Sequence, residues 1–414
     1  GSLNLGINLL VMPVLQSHLN TLGPLQVLLS CLKSLALQWK ILLMQQRKVF
    51  VKQMVNALEQ ISQAGVAVWL DDLSRQRLKD KSLENLISQD YVVGVTTNPS
   101  IFAAAIGKSD LYHEDILRNR NLSIEEIITK LTTDDVRSAC DVFEKTFLDS
   151  NKADGRVSIE VDPRYARDAN KTVAQGKHLW QIIDRPNLLI KVPATIEGLP
   201  AITALIADGI SVNVTLIFSV TRYKQVLAAY REGISRRISS GKSVNDIHSV
   251  ASFFISRIDS AIDAMLPSDS PIRGCAAIAN AAIAYESFLS FESSDNWQVL
   301  ANDGANVQRP LWASTGVKDP AYDSTRYVMQ LVAKNTVNTM PEATLNAVKQ
   351  FGVFQGDSIT PNFTASKSNI AKLALAGIDI EKITQDLELD GVAKFESSWN
   401  ELMNSVKAIA LGNA

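Results

Sequence analysis

From Lys48 onward the chain alternates between two kinds of apolar pattern. Short, β-branched and nearly unbroken apolar runs occupy 66–70 (VAVWL), 92–97 (VVGVTT), 157–161 (VSIEV), 188–192 (LLIKV), 211–218 (SVNVTLIF), 250–256 (VASFFIS), 309–314 (RPLWAS) and 336–340 (TVNTM). Between them lie amphipathic stretches with helical spacing, such as 167–183, 196–207, 220–234 and 277–291. A first helix is predicted where Phe50, Met54, Leu58 and Ile61 recur at three- and four-residue intervals, with Gly65 closing it. Strands this apolar, without strict alternation, are covered on both faces, which implies a parallel sheet with crossover helices. Eight such units predict a closed (β/α)8 barrel, a TIM barrel of the α/β class. A doubly wound open sheet is the alternative, but no GxGxxG opens the first unit and no P-loop sequence occurs. Two further helices are expected after the eighth run, at about 366–382 and 392–411.

The first 44 residues break the pattern. They hold fifteen leucines, and no acidic residue precedes Glu59. Their longest apolar run, Leu9 to Leu15, contains Pro13 and is far shorter than the roughly 20 residues a membrane-spanning helix needs. An organelle transit sequence, a helical appendage and non-native sequence ahead of a start near Met44 all fit this stretch. The expected division is therefore a leucine-rich extension, 1–44, and a barrel domain with C-terminal helices, 45–414.

Composition narrows the class without naming it. The 414 residues balance 41 basic against 43 acidic side chains, a net charge of −2, with 46% hydrophobic and 20% charged residues. That is ordinary for a globular protein and offers no general attraction to nucleic acid or to an anionic membrane. The cysteines, Cys31, Cys140 and Cys275, are odd in number and far apart, so a disulfide framework is not expected and a reducing, cytoplasmic compartment fits best, or a plastid if 1–44 is a transit segment. Four scattered histidines form neither a metal cluster nor a nucleophile–base pair.

A barrel does its chemistry at the C-terminal ends of its strands. Those ends present Asp71 and Asp72 after the first run, Thr96, Thr97 and Asn98 after the second, and Glu160 on the third. Lys191 sits inside the fourth, Asn213 and Thr215 on the fifth, Ser252, Ser256 and Arg257 on the sixth, and Ser314 on the seventh. A lysine within an apolar strand is costly to bury charged; either a carboxylate pairs it, or it serves as a neutral amine able to form a Schiff base with a carbonyl. Asp71 and Glu160 can supply the proton transfers such chemistry needs, directly or through a water held by Thr215. Asn98, Asn213 and Ser252 are candidate ligands for sugar hydroxyls. Arg257, Ser314 and the Gly316 loop suggest a phosphate pocket.

VWLDDLSR (68–75), GVTTNPSIF (94–102), ADGRVSIEVDPR (153–164), LLIKVPAT (188–195), GISVNVTLIFS (209–219), VASFFISRID (250–259) and RPLWASTGVKDP (309–320) together resemble the transaldolase family, in its longer bacterial and plant-plastid form. The resemblance covers roughly 48–412, in order. It implies a barrel enzyme with Lys191 as Schiff-base lysine and Asp71 as acid/base, with Glu160 and Thr215 activating a water. Thr97, Asn98, Asn213, Ser252, Arg257 and Ser314 would bind substrate. The implied reaction is reversible transfer of a dihydroxyacetone unit from sedoheptulose 7-phosphate to glyceraldehyde 3-phosphate, in the non-oxidative pentose phosphate pathway. It implies no cofactor and no metal; the expected partners are sugar phosphates, with no nucleic acid and no membrane, on a monomer or homodimer. Where short forms place a second phosphate arginine, this chain reads STGVKDP, leaving Lys318 as the candidate. The alternatives are a fructose-6-phosphate aldolase on the same scaffold and a non-catalytic sugar-phosphate-binding barrel.

Overall fold

The computed structural model describes residues 56–412. The leucine-rich 1–44 segment, and with it Phe50 and Met54 of the first expected helix, lies outside the described residues; the part of that helix within them is Ala57–Gln63.

Eight strands follow one another around a closed barrel: β1 (Val66–Leu70), β2 (Val92–Val95), β3 (Arg156–Glu160), β4 (Leu188–Pro193), β5 (Val212–Ile217), β6 (Ser249–Phe254), β7 (Arg309–Ala313) and β8 (Thr336–Met340). Every pairing is parallel, and β8 closes on β1 from Val66↔Thr336 to Leu70↔Met340. That last pairing excludes an open sheet. Residues along β1, β3, β4, β5, β6 and β8 are buried without exception, as strands packed between a barrel interior and a coat of helices must be. Among the described residues no helix is long and apolar enough to cross a membrane.

Side-chain volume decides the packing. Trp69 on β1 is fully buried, and its indole fills the space beside Gly94 on β2, where an added Cβ would come within 2.5 Å of the ring. Phe253 meets Trp312 edge-on at 6.2 Å and Tyr223 at 6.0 Å, tying β6 to β7 and to the helix Val220–Ser239. Burying each such aromatic stabilises the fold by about 2–3 kcal/mol.

Several boundaries differ from the sequence expectation, most of the strand ends by a single residue. Strand β2 stops at Val95, although Thr96 N still donates to the Leu70 carbonyl at 2.9 Å, and the chain turns into the helix Pro99–Gly107 capped by Asn98. Strand β6 stops at Phe254, so Ser256 and Arg257 form the first turn of the helix Ser256–Asp263 rather than a strand end. The first C-terminal helix is Phe363–Leu375, not 366–382: Gly377 takes φ +81°, and Asp379 then caps a new helix by accepting from Lys382 N. That second helix, Ile380–Ala410, begins twelve residues earlier than expected and spans 31 residues. Its buried stripe includes Gly391, Phe395, Trp399, Leu402 and Val406, three or four residues apart, which is the spacing of one helix face. Gly391 lies close over Leu216 Cδ2, 3.0 Å from where its Cβ would stand, so this helix rests on the C-terminal end of β5.

Candidate active site

A cavity of about 600 Å³ opens at the C-terminal ends of the strands. Asp71, Asn98, Lys191, Thr215, Ser252, Arg257, Ser314 and Lys318 all line it, together with Phe395 from the C-terminal helix. Thr97, Glu160 and Asn213 are buried and do not line it.

The strand register sets the centre. Glu160 pairs with Lys191 across β3–β4, and Lys191 with Asn213 across β4–β5, so three polar side chains stand abreast in an otherwise apolar wall. Lys191 is 4% exposed. Its Nζ donates to the Thr97 carbonyl at 2.9 Å and lies 3.6 Å from Glu160 Oε2, an ion pair longer than a hydrogen bond. The Phe395 ring covers it, with the Nζ 5.8 Å from the ring centroid. Both carboxylate oxygens of Glu160 lack a hydrogen-bond partner among the described residues, as does Thr215 Oγ1. A carboxylate in that position is poorly solvated. Burial pushes Glu160 up to about 7, although the Lys191 charge draws it down. Beyond Thr215, Leu216 takes φ +59° and the β5–β6 register slips between Val214 and Ile217. A bulky residue in the left-handed region is strained, and here it marks the irregularity beside Thr215, after which pairing resumes at Ile217↔Phe253.

On the other flank, Asp71 Oδ1 accepts a 2.7 Å hydrogen bond from Thr96, whose hydroxyl also meets Thr339 Oγ1 at 2.6 Å. Burial raises the Asp71 carboxyl above its ordinary value, against the pull of Lys191 and the Thr96 hydroxyl. The neighbouring Asp72 turns to Arg77, 2.7 Å away. Of the doublet, Asp71 is therefore the acid that faces Lys191.

The amides and hydroxyls divide into two kinds. Asn98 caps the helix Pro99–Gly107, its Oδ1 accepting from Ile101 N at 3.0 Å while the residue lines the cavity. Asn213 is engaged on both ends of its amide, donating to Ser158 Oγ at 3.0 Å and accepting from Ser252 Oγ at 2.7 Å. The Thr97 hydroxyl donates to the Ser158 carbonyl. Thr97 and Asn213 thus hold the site together from behind, whereas Ser252 reaches the cavity.

At the far end, Arg257 has one buried nitrogen, Nη1, with no hydrogen-bond partner among the described residues, and its guanidinium carbon lies 5.5 Å from the centre of the Phe254 ring. Ser314, held at φ +55°, places its hydroxyl 3.0 Å from that of Ser256 and accepts from Ser256 N through its carbonyl. Lys318 is close enough to Arg257 and Lys394 that burial and their charges lower its ordinary pKa, with Asp390 opposing. Burial likewise lowers Arg257, and Asp390 restrains it. Cations gathered in this way at a helix N-terminus are suited to a phosphate.

Sequence reasoning did not find Thr339, Ser158 or Phe395. Thr339 and Ser158 read as ordinary strand positions. Phe395 reads as a core position on its helix, and only the crossing of that helix over the barrel mouth brings it to Lys191.

Comparison with known sequences gives a consistent result. A sequence model of the family described as transaldolase/fructose-6-phosphate aldolase matches residues 68–406. The chain is 53% identical over 357 residues to a curated transaldolase of Mycolicibacterium smegmatis, covering 84% of this chain and 96% of the relative. It is 52% identical over 359 residues to that of Mycobacterium tuberculosis (85% and 96%), and 49% identical over 360 residues to that of Frankia alni (85% and 97%).

Proposed function

The chain belongs to the transaldolase/fructose-6-phosphate aldolase family, its activity is that of a transaldolase, and from that premise we propose that Lys191 is the Schiff-base nucleophile of the transfer. The observation that carries the proposal is the position of this amine, buried at the cavity wall between one carboxyl in the cavity, Asp71, and one behind it, Glu160. Attack on a ketose carbonyl requires the neutral amine. Glu160, with its carboxyl near neutrality, is the adjacent group able to take the ammonium proton and return it as the carbinolamine loses water. Thr215 Oγ1, without a hydrogen-bond partner among the described residues, would help position that water. The resulting iminium withdraws electrons. Asp71 removes the proton of the C4 hydroxyl, the C3–C4 bond breaks, the aldose leaves, and the three-carbon fragment stays on Lys191 as an enamine. An aldose acceptor then reverses the sequence.

Ser252 and Asn98 would hold hydroxyls of the fragment, with Asn213 and Thr97 fixing their neighbours. Arg257, Ser314 and Lys318 would take the phosphate, Lys318 as a point charge where a second guanidinium would give a fork. Sedoheptulose 7-phosphate and fructose 6-phosphate are the donors this layout supports. The buried thiol of Cys140 and the free thiol of Cys275 suit a reducing cytoplasm.

Borohydride reduction in the presence of fructose 6-phosphate is expected to leave a three-carbon adduct on the peptide containing Lys191. An unmodified Lys191, or full transferase activity in Lys191→Met, would refute the assignment.

A further inference from the structure

The opposite end of the barrel carries a second polar cavity that the transfer reaction does not use. It has a volume of about 220 Å³ and is lined by Arg156, His248, Ser249, Asn306, Arg309 and Asn335, among others. Arg156 opens β3 and Arg309 opens β7, so the two guanidinium groups enter the floor from opposite sides of the ring of strands. Both are fixed rather than floating. Arg156, 1% exposed, donates to the carbonyls of Lys152 and Pro186. Arg309 Nη2 donates at 2.8 Å to Asp154 and to the Ala153 carbonyl. Those bonds leave donors over: among the described residues, Nε and Nη1 of Arg309 make no hydrogen bond, and neither does the ring of His248, which when neutral carries one N–H donor. The nearby acids cover only part of the charge. Asp154 pairs with Arg309, and the exposed Asp246 pairs with Lys152 on the rim at 2.6 Å. The field is strong enough to register on its own members: burial and Arg309 hold Arg156 down to about 9, and burial with Arg156, Arg309 and Lys152 holds His248 down to about 3.

We propose that this floor is a binding site for a small oxyanion with the chemistry of a phosphate, separate from the catalytic cavity. Arg309 and Arg156 would supply charge-assisted hydrogen bonds, and the N–H of a neutral His248 ring would add a third donor beside the cavity wall formed by Asn306. Asn306 already spends its Nδ2 on the carbonyls of Asn245 and Ile247, which fixes the orientation of its side chain. The volume is below the ~300–1,000 Å³ of pockets that take drug-sized ligands, which suits inorganic phosphate or a short monoester rather than a nucleotide. Bound there, the anion would tie β3, β6 and β7 together at the ends remote from Glu160, Ser252 and Ser314. The proposal does not depend on the role given to Lys191.

The test is an imidazole NMR titration at constant pH and ionic strength, with His248 assigned from His248→Asn. Inorganic phosphate is expected to shift the His248 resonances saturably in the parent and equally in Arg257→Ala, which takes the guanidinium out of the proposed phosphate pocket at the catalytic mouth. Chloride should not do so. Arg309→Gln is expected to weaken the titration at least about tenfold, the value of one charge-assisted bond, and Arg309→Lys, which keeps the charge toward Asp154, is expected to weaken it less. A parallel titration with glycerol 1-phosphate distinguishes a free ion from an ester as the natural ligand: whichever saturates at lower concentration identifies the source. Absence of a saturable shift with either probe, its loss in Arg257→Ala, or its survival undiminished in both folded Arg309 variants would overturn the proposal.

Discussion

Replacing Glu160 by glutamine should make the protein more stable and nearly inactive, and the two effects have one cause. The Glu160 carboxyl is buried without a hydrogen-bond donor among the described residues, and its pKa is raised from the ordinary 4.5 to about 7 with the Lys191 charge already pulling it down. Each unit of displacement corresponds to about 1.4 kcal/mol, so the ionised carboxylate costs the fold roughly 3 kcal/mol. The sign follows from proton counting. Between pH 4.5 and 7 the unfolded chain has released this proton while the folded chain keeps it, so stability falls as pH rises and levels off above the folded value. Glutamine carries no proton to lose. The Glu160→Gln variant should therefore match the parent near pH 4.5 and exceed it by roughly 3 kcal/mol at pH 8, read as a higher urea midpoint at unchanged slope. On the proposed role its kcat should fall by about 10²–10⁴, the usual contribution of a general acid–base group. An equal or lower urea midpoint for the variant at pH 8 would refute the reasoning, because the buried carboxylate would then not be the strained element described here.

The remaining predictions address other parts of the site. Thr96→Val removes the 2.7 Å hydrogen bond that holds the Asp71 carboxyl down, so the acidic limb of the kcat/KM–pH profile should move to higher pH and kcat at neutral pH should fall about tenfold. Arg257→Lys keeps the charge and loses the fork; KM for fructose 6-phosphate should rise by about tenfold or more, while turnover of unphosphorylated fructose should be unchanged. Gly94→Ala puts a methyl within 2.5 Å of the buried Trp69 indole. The expected cost is about 1–3 kcal/mol in urea or thermal melts, the same at pH 5 and pH 8, because no titrating group is involved.

The parallel barrel was legible because its strands are buried on both faces. VAVWL or LLIKV has no polar face to confuse with a helix, and the structure places all eight strands within two residues of the runs at 66–340. What escaped the sequence depended on backbone turns that the apolar pattern does not mark. Ser256 and Arg257 follow an apolar run directly; the strand ends where the backbone of Ile255 turns into the helical region, although Ser256 N still donates to the Ser314 carbonyl of the neighbouring strand end. The predicted helix 366–382 ran through Gly377 because the periodicity continues across it, while the left-handed backbone at that glycine breaks the axis. The candidate site shows the same division. Position at a strand end was enough to single out Lys191, Asp71 and Glu160. It was not enough to separate Ser252, which reaches the cavity, from Asn213, whose amide is spent on Ser158 and Ser252. Residues on one strand face look alike in sequence, and their partners across the barrel decide their work.

The C-terminal helix connects this packing to the chemistry. A transferase must keep its enamine from being protonated and released before the acceptor arrives, so the reacting carbons need a cover without acidic protons. Phe395 supplies an apolar one directly over Lys191. It can stand there because the helix sits low on the barrel, and Gly391, one turn earlier on the same face, lets it do so: a methyl at that position would meet Leu216 Cδ2 at 3.0 Å. Leu216 in turn sits in the strained irregularity next to Thr215 near the end of β5. The backbone strain at Leu216, the missing side chain at Gly391 and the ring at Phe395 are thus parts of one arrangement. The first two are local departures from what strand or helix propensity would choose, and together with the ring they place an apolar cover over the amine, next to the cavity wall at Thr215.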